Sequence, residues 1–242
     1  MRSQPPEEVR AILEHEADAS QELAACSPVP TPVPVALGDP GHGYPLPWAV
    51  QTWLPGRVAT VEDPAASLPF AQDLARFISH LRRADTRGRR FSGLGRGGNL
   101  PDHDDWMELC FEKSRALLDV DRLRRMWADL RRLPRDSADV MSHGDLVPGN
   151  VLVRQGRLAG VLDGGGFAPA DPALDLVGGW HLLDRTPREE LRCALGCGDL
   201  EWARGMAWAF QQAMGLVWYY AESNPAMSRL GARTLDRLLA ET

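Results

Sequence analysis

Apolar residues recur at helical spacing along most of this chain and at strand spacing in only a few short stretches. Over residues 5–25, Val9, Ile12, Leu13, Ala19 and Leu23 interleave with Glu7, Glu8, Glu14, Glu16 and Glu22, which predicts an amphipathic helix. Pro28, Pro30, Pro32 and Pro34 follow, and no helix survives that spacing, so the chain is expected to run extended into a short strand, Val33 to Leu37. Glycines and a proline at 38–43 form a turn cluster. Trp48 to Leu54 has strand composition, and Pro55-Gly56 ends it. Phe70, Leu74, Phe77, Ile78 and Leu81 place a helix over 69–81. Further helices are predicted for 104–118, 121–133, 189–197, 200–222 and 226–239, with a strand-rich segment at 140–163. The expected class is α+β: a small, strand-bearing piece over residues 1–56 and a large, mainly helical piece over 57–242.

Composition narrows the function classes. The net charge of −6 argues against general binding to nucleic acid or to an anionic membrane. The most apolar stretch, Met206 to Ala221, is broken by Gln211 and Gln212 and is too short to span a bilayer, so it is expected to be a core helix. Cys26, Cys110, Cys193 and Cys197 form no CxxC pair and have no zinc-ligand spacing with histidine, which suits free thiols in a reducing cytoplasm. The basic residues are lopsided: of 27, only Lys113 is a lysine.

The chemistry concentrates between Ser142 and Asp163. Val151–Val153 and Leu158–Leu162 flank a turn at 154–157 and read as a β-hairpin. Such a hairpin brings Asn150 and Asp163 side by side at its open end, with Asp145 on the loop leading in. Two carboxylates and a carboxamide then converge, hard oxygen ligands suited to Mg²⁺ with one carboxylate left to accept a proton. The order and the five-residue step from Asp145 to Asn150 match the protein-kinase catalytic loop, with Gly144 where kinases carry Arg.

The run His143-Gly144-Asp145, then Asn150 and Leu152, resembles the aminoglycoside phosphotransferase family, which has a protein-kinase-like fold. Tyr44 to Gly56 is similar to that family's hinge strand, Gly160 to Asp163 to its metal-binding strand, Ala170 to Leu176 to the helix start that follows, and Leu13 to Glu16 to the small-lobe helix. The resemblance implies ATP and Mg²⁺ as cofactors and a small-molecule hydroxyl as acceptor. Asp145 would orient and deprotonate that hydroxyl, and Asn150 and Asp163 would hold Mg²⁺. Backbone groups of Thr52, Trp53 and Leu54 would meet the adenine edge. His143 and Asp175 would brace the loop, and Glu16 would belong to the small-lobe ion pair.

Two departures from the pattern, and two further runs of residues, carry further expectations. The resemblance implies a Gly-rich nucleotide loop and a lysine-bearing strand before Glu16, yet Met1 lies only fifteen residues earlier and Lys113 falls in a large-lobe helix. The expectation is therefore a partial small lobe whose helix face is left open to self-association, with a catalytically impaired pseudo-kinase as the alternative to an active enzyme. Gly164-Gly165-Gly166 after Asp163 is expected to be loose. Gly93 to Gly98 (GLGRGG) does not sit between a strand and a helix, so it reads as a surface turn rather than a phosphate loop. Asp102, Asp104, Asp105, Glu108 and Glu112 read as charge at a helix start, or else as an acidic wall for a cationic substrate.

Overall fold

A computed structural model describes residues 5–241. Helix α1 (Pro6–Cys26) starts on a proline at its first turn, where the missing N–H costs nothing. The proline run then carries the chain into β1 (Pro34–Gly38), which pairs antiparallel with β2 (Trp48–Gln51). The strand predicted to reach Leu54 stops at Gln51, and residues 52–54 continue as irregular backbone. A short β3 (Arg57–Val58) leaves this hairpin.

Helix α2 (Leu68–Arg83) is capped by Ser67, whose hydroxyl accepts from the Phe70 N–H. It buries Phe70, Leu74, Phe77, Ile78 and Leu81, the face that the periodicity predicts. Helices α3 (Asp104–Lys113) and α4 (Val120–Leu130) follow, α3 ending short of the expected Leu118 in a run of turns. Strand β4 (Val140–Ser142) leads to the hairpin β5 (Val151–Arg154) and β6 (Arg157–Val161). Gln155 and Gly156 at its tip have φ of 54° and 69°, the positive values that a tight two-residue hairpin turn requires.

Strand β7 (Ala168–Ala170) returns to pair with β4, and β3 adds to the hairpin in the order β3-β5-β6. Four helices complete the chain: α5 (Val177–Leu182), α6 (Arg185–Leu195), α7 (Asp199–Tyr219) and α8 (Pro225–Leu239). Helix α7 is apolar almost all round and buried from Ala207 to Val217, with α3, α4, α5 and α8 packed about it.

Two buried features fix how these parts meet. Arg204 of α7 and Asp171, just after β7, are both almost fully buried and pair at 2.5 Å. Arg204 also donates to the carbonyls of Leu133 (2.8 Å), Pro134 and Gly98 (both 3.2 Å), so one side chain ties four chain segments together. The second feature is the triple glycine. The segment expected to be loose is a 3₁₀ turn pressed against α1. A Cβ on Gly164 would come within 2.6 Å of Leu23, and one on Gly165 within 3.0 Å of Glu16. The glycines are there for close approach of a helix, and the packing supplies the order that the local sequence lacks. On α1, Leu23 is fully buried by this contact, whereas Ile12 remains exposed.

Candidate active site

The loop between β4 and β5 carries the candidate chemistry, and it is held from beneath. Asp175, almost fully buried, accepts the backbone N–H of His143 (3.0 Å) on one carboxylate oxygen and that of Gly144 (2.8 Å) on the other. His143 is buried too. Its Nε2 faces the Leu162 carbonyl at 2.9 Å, an acceptor, so Nε2 carries the proton and Nδ1 accepts the Asp145 N–H at 3.3 Å. Gly144 has φ 80°, a left-handed conformation that turns the chain so that Asp145 leaves the core. His143 and Asp175 thus both hydrogen-bond backbone groups of this loop.

Asp145 lies half-buried at the mouth of a cleft. Asn150 Nδ2 donates to the Asp145 carbonyl (3.0 Å) and to its Oδ2 (2.9 Å), which leaves the Asn150 carbonyl oxygen available. The Leu162 N–H donates to the Asn150 backbone carbonyl at 2.7 Å, so the two ends of the hairpin meet as its register predicts. Asp163 follows in a left-handed conformation (φ 60°, ψ 50°), unusual for a residue with a side chain, and its carboxylate is exposed with no hydrogen bond among the described residues. An amide oxygen and an unpartnered carboxylate so placed suit a Mg²⁺ ion that keeps water and phosphate in its shell. No cluster of three or more His, Cys, Asp or Glu that could hold a metal by itself occurs among the described residues.

Asp163 lines a second, largely apolar cleft of about 590 Å³ beside Leu54, Val58, Leu152 and Leu162. Thr52, Trp53 and Leu54 form one wall. Here the expectation needs correcting in one detail. The Thr52 N–H already donates to the Val33 carbonyl at 2.9 Å, and its hydroxyl accepts from the Val33 N–H, because the hairpin pairing runs one step beyond β2. The backbone groups of Trp53 and Leu54 make no such bonds. Glu16 sits exposed on α1 without an ion pair among the described residues.

Three contributors went unseen in the sequence. Arg96, in the loop read as a surface turn, pairs with Asp145 Oδ1 at 2.8 Å and donates to the Gly144 carbonyl at 3.2 Å. The loop is not superficial: Gly97 and Gly98 are buried, and the Gly97 carbonyl accepts from the Asp171 N–H at 2.9 Å. Gln212 Nε2 donates to the same Asp145 oxygen at 2.6 Å. Since a carboxylate only accepts, the Gln212 carbonyl oxygen must face the other way, where His181 Nε2 lies at 3.0 Å. His181 therefore donates from Nε2, and its Nδ1 accepts from Thr234 Oγ1 at 2.9 Å. Burial pushes this imidazole down to about 4, so it stays neutral. Two amides breaking an otherwise apolar helix were the available sequence signal, because a buried polar pair must find partners.

The acidic run lies elsewhere. Asp104 is bound by Arg131 and by Trp127 Nε1, and the Arg131 guanidinium holds its carboxyl below the usual range. Glu108 pairs with Arg124 at 2.5 Å. None of these carboxylates lines the cleft at Asp145; from the same helix only Trp106 does.

Residues 1–208 match the phosphotransferase enzyme family, APH. No curated protein matches the chain. Among solved structures, the GDP complex of aminoglycoside 2'-phosphotransferase-IIIa is similar at TM-score 0.67 and 19% identity, over 96% of this chain and 83% of that one. Macrolide 2'-phosphotransferase MphH from Brachybacterium faecium is similar at TM-score 0.59 and 20% identity, over 96% and 82%. The streptomycin–ATP complex of APH(2")-IIa follows at TM-score 0.54 and 16% identity, over 95% and 81%. At such identities the likeness carries the protein-kinase-like fold. Among the described residues, no helix is long and apolar enough to cross a membrane.

Proposed function

Because the chain belongs to the phosphotransferase enzyme family, we propose that it moves the γ-phosphoryl group of ATP onto a small-molecule hydroxyl at Asp145. The observation that carries this is the convergence of Asp145, Asn150 and Asp163 between an apolar cleft on one side and a more polar one on the other. The purine would lie in the apolar cleft, against Leu152 and Leu162 and the free backbone groups of Trp53 and Leu54. The Asn150 carbonyl oxygen and the Asp163 carboxylate would hold Mg²⁺, which neutralises phosphate charge when bound.

Asp145 has a definite remaining capacity. Its Oδ1 already accepts from Arg96 and Gln212, and its Oδ2 accepts only from Asn150. With about two lone-pair sites per oxygen, Oδ2 keeps one for the acceptor O–H. The hydroxyl proton passes to Oδ2 as the oxygen–phosphorus bond forms and the bond from phosphorus to the ADP oxygen breaks. His143 and Asp175 work by holding the loop, and the protein's contribution is positioning and charge.

A second reading, a fold that binds nucleotide without turning it over, is favoured by one observation. No lysine lines the apolar cleft; Arg57 is the cation there. Calorimetry with ATP, with and without Mg²⁺, and assay of ADP release separate the two. An enzyme should bind ATP more tightly with Mg²⁺, lose that gain in Asp163→Ala, and lose turnover by roughly 10²-fold or more in Asp145→Asn at near-constant melting temperature. Mg²⁺-dependent binding without ADP release would favour the second reading, and equal ATP affinity in both conditions would remove Asp163 from the metal site.

A further inference from the structure

The cleft in front of Asp145 has a volume of about 600 Å³ and walls unlike those expected for a polycation. Trp106, Tyr219 and Tyr220 supply aromatic surface, with the two tyrosine rings edge to face at 5.0 Å. Asp145 is the only carboxylate in the lining, and it is already paired with Arg96. His103, also in the wall, has its imidazole pushed down by burial and adds no fixed charge. A polyamine entering here would find a single carboxylate, already paired, beside a guanidinium of like charge.

Two groups in the same walls have unused capacity of the opposite kind. Among the described residues Arg96 hydrogen-bonds through Nη2 alone, with none from Nε or Nη1, and the side chain is 28% exposed at the cleft. Gln211 is 6% exposed, lines the cleft, and its Oε1 has no hydrogen-bond partner. The unused N–H groups of Arg96 lie on different edges of the guanidinium plane, so Nη1 can give an anion a charge-assisted hydrogen bond.

We propose that this cleft takes a hydroxy acid with a flat, largely apolar body, its acidic group on the unbonded Nη1 of Arg96 and its hydroxyl, a few bonds away, at Asp145. Aromatic walls hold the body. The short bond between Arg96 and Asp145 sets the short separation of the two ligand groups. This names the acceptor class for the phosphotransferase reading and rests on that reading for the chemistry, though not for the binding.

The test uses the whole chain and three probes: 3-hydroxy-2-naphthoate, the uncharged 3-hydroxy-2-naphthamide, and kanamycin. By calorimetry the acid should bind at least about tenfold more tightly than the amide, a difference that a charged hydrogen bond readily supplies. Arg96→Gln should erase that preference, and Arg96→Lys should keep part of it. Equal affinity for acid and amide, kanamycin binding more tightly than the acid, no binding of the acid at millimolar concentration, or a preference that survives Arg96→Gln would each overturn the proposal. Supplying ATP labelled in the γ-phosphoryl group distinguishes the two layers. Arg96-dependent binding with no label transferred to the acid keeps the hydroxy-acid cleft and counts against phosphotransfer. Label passing to kanamycin in preference to the acid keeps phosphotransfer and ends the hydroxy-acid assignment.

Discussion

Removing the Asp171 carboxylate tests the buried ion pair that joins α7 to the turn after β7. In Asp171→Ala, Arg204 stays 3% exposed and loses its only anionic partner, together with the bonds from Nε (2.8 Å) and Nη2 (2.5 Å). Trp208 Nε1 loses its acceptor at 3.0 Å, and the Ala173 N–H loses the bond that starts the turn after β7. Breaking a buried pair from one side costs about 3–5 kcal/mol, because the remaining charge is left uncompensated. Arg204 still has carbonyl acceptors at Leu133, Pro134 and Gly98, which favours the lower end, about 3–4 kcal/mol. For a chain of this size each kcal/mol moves the melting temperature by roughly 2–4 °C, so a fall of roughly 6–16 °C is expected by calorimetry or near-ultraviolet circular dichroism. The double variant Asp171→Ala/Arg204→Leu removes the stranded charge, so it should be less destabilised than the single one. A fall under about 3 °C in the single variant, or a double variant as unstable as the two singles summed, would refute the claim that an unpaired buried charge sets the cost.

Gly164→Ala puts a methyl group within 2.6 Å of the buried Leu23 side chain, so α1 must shift; a loss of about 1–3 kcal/mol is expected in urea unfolding, and Leu23→Ala should relieve it. A neutral variant there would mean α1 does not press on the turn. His181 has its folded pKa lowered to about 4 by burial, against 6.5 for the free group. Above the higher value it is neutral in both states and contributes nothing pH-dependent; as pH falls through the window the unfolded chain takes up the proton first. Stability should therefore drop by roughly 2 kcal/mol between pH 7 and pH 5, and His181→Gln should flatten that slope. An unchanged slope in the variant would remove His181 as its source.

Local pattern alone determined a good part of this protein. The helix over 69–81, the proline-forced extension after α1, the hairpin with its two-residue turn, and the meeting of Asn150 with the Asp163 strand all follow from short-range rules: periodicity, a missing N–H, and positive φ at a turn. Asp145, Asn150 and Asp163 were legible because they lie within one supersecondary unit, where sequence spacing fixes spatial spacing. What the tertiary structure decided is of another kind. Gly164 and Gly165 look like flexibility in one dimension and become a helix seat in three. Thr52 loses its free N–H to Val33, a partner set by where two strands stop pairing. Arg96 reaches Asp145 from 49 residues away, and Gln212 from 67, through a buried loop and a core helix whose docking depends on the Arg204–Asp171 pair. Pattern rules act over about one helical turn or one hairpin, whereas these contacts are chosen by the packing of whole elements, and no local spacing encodes them.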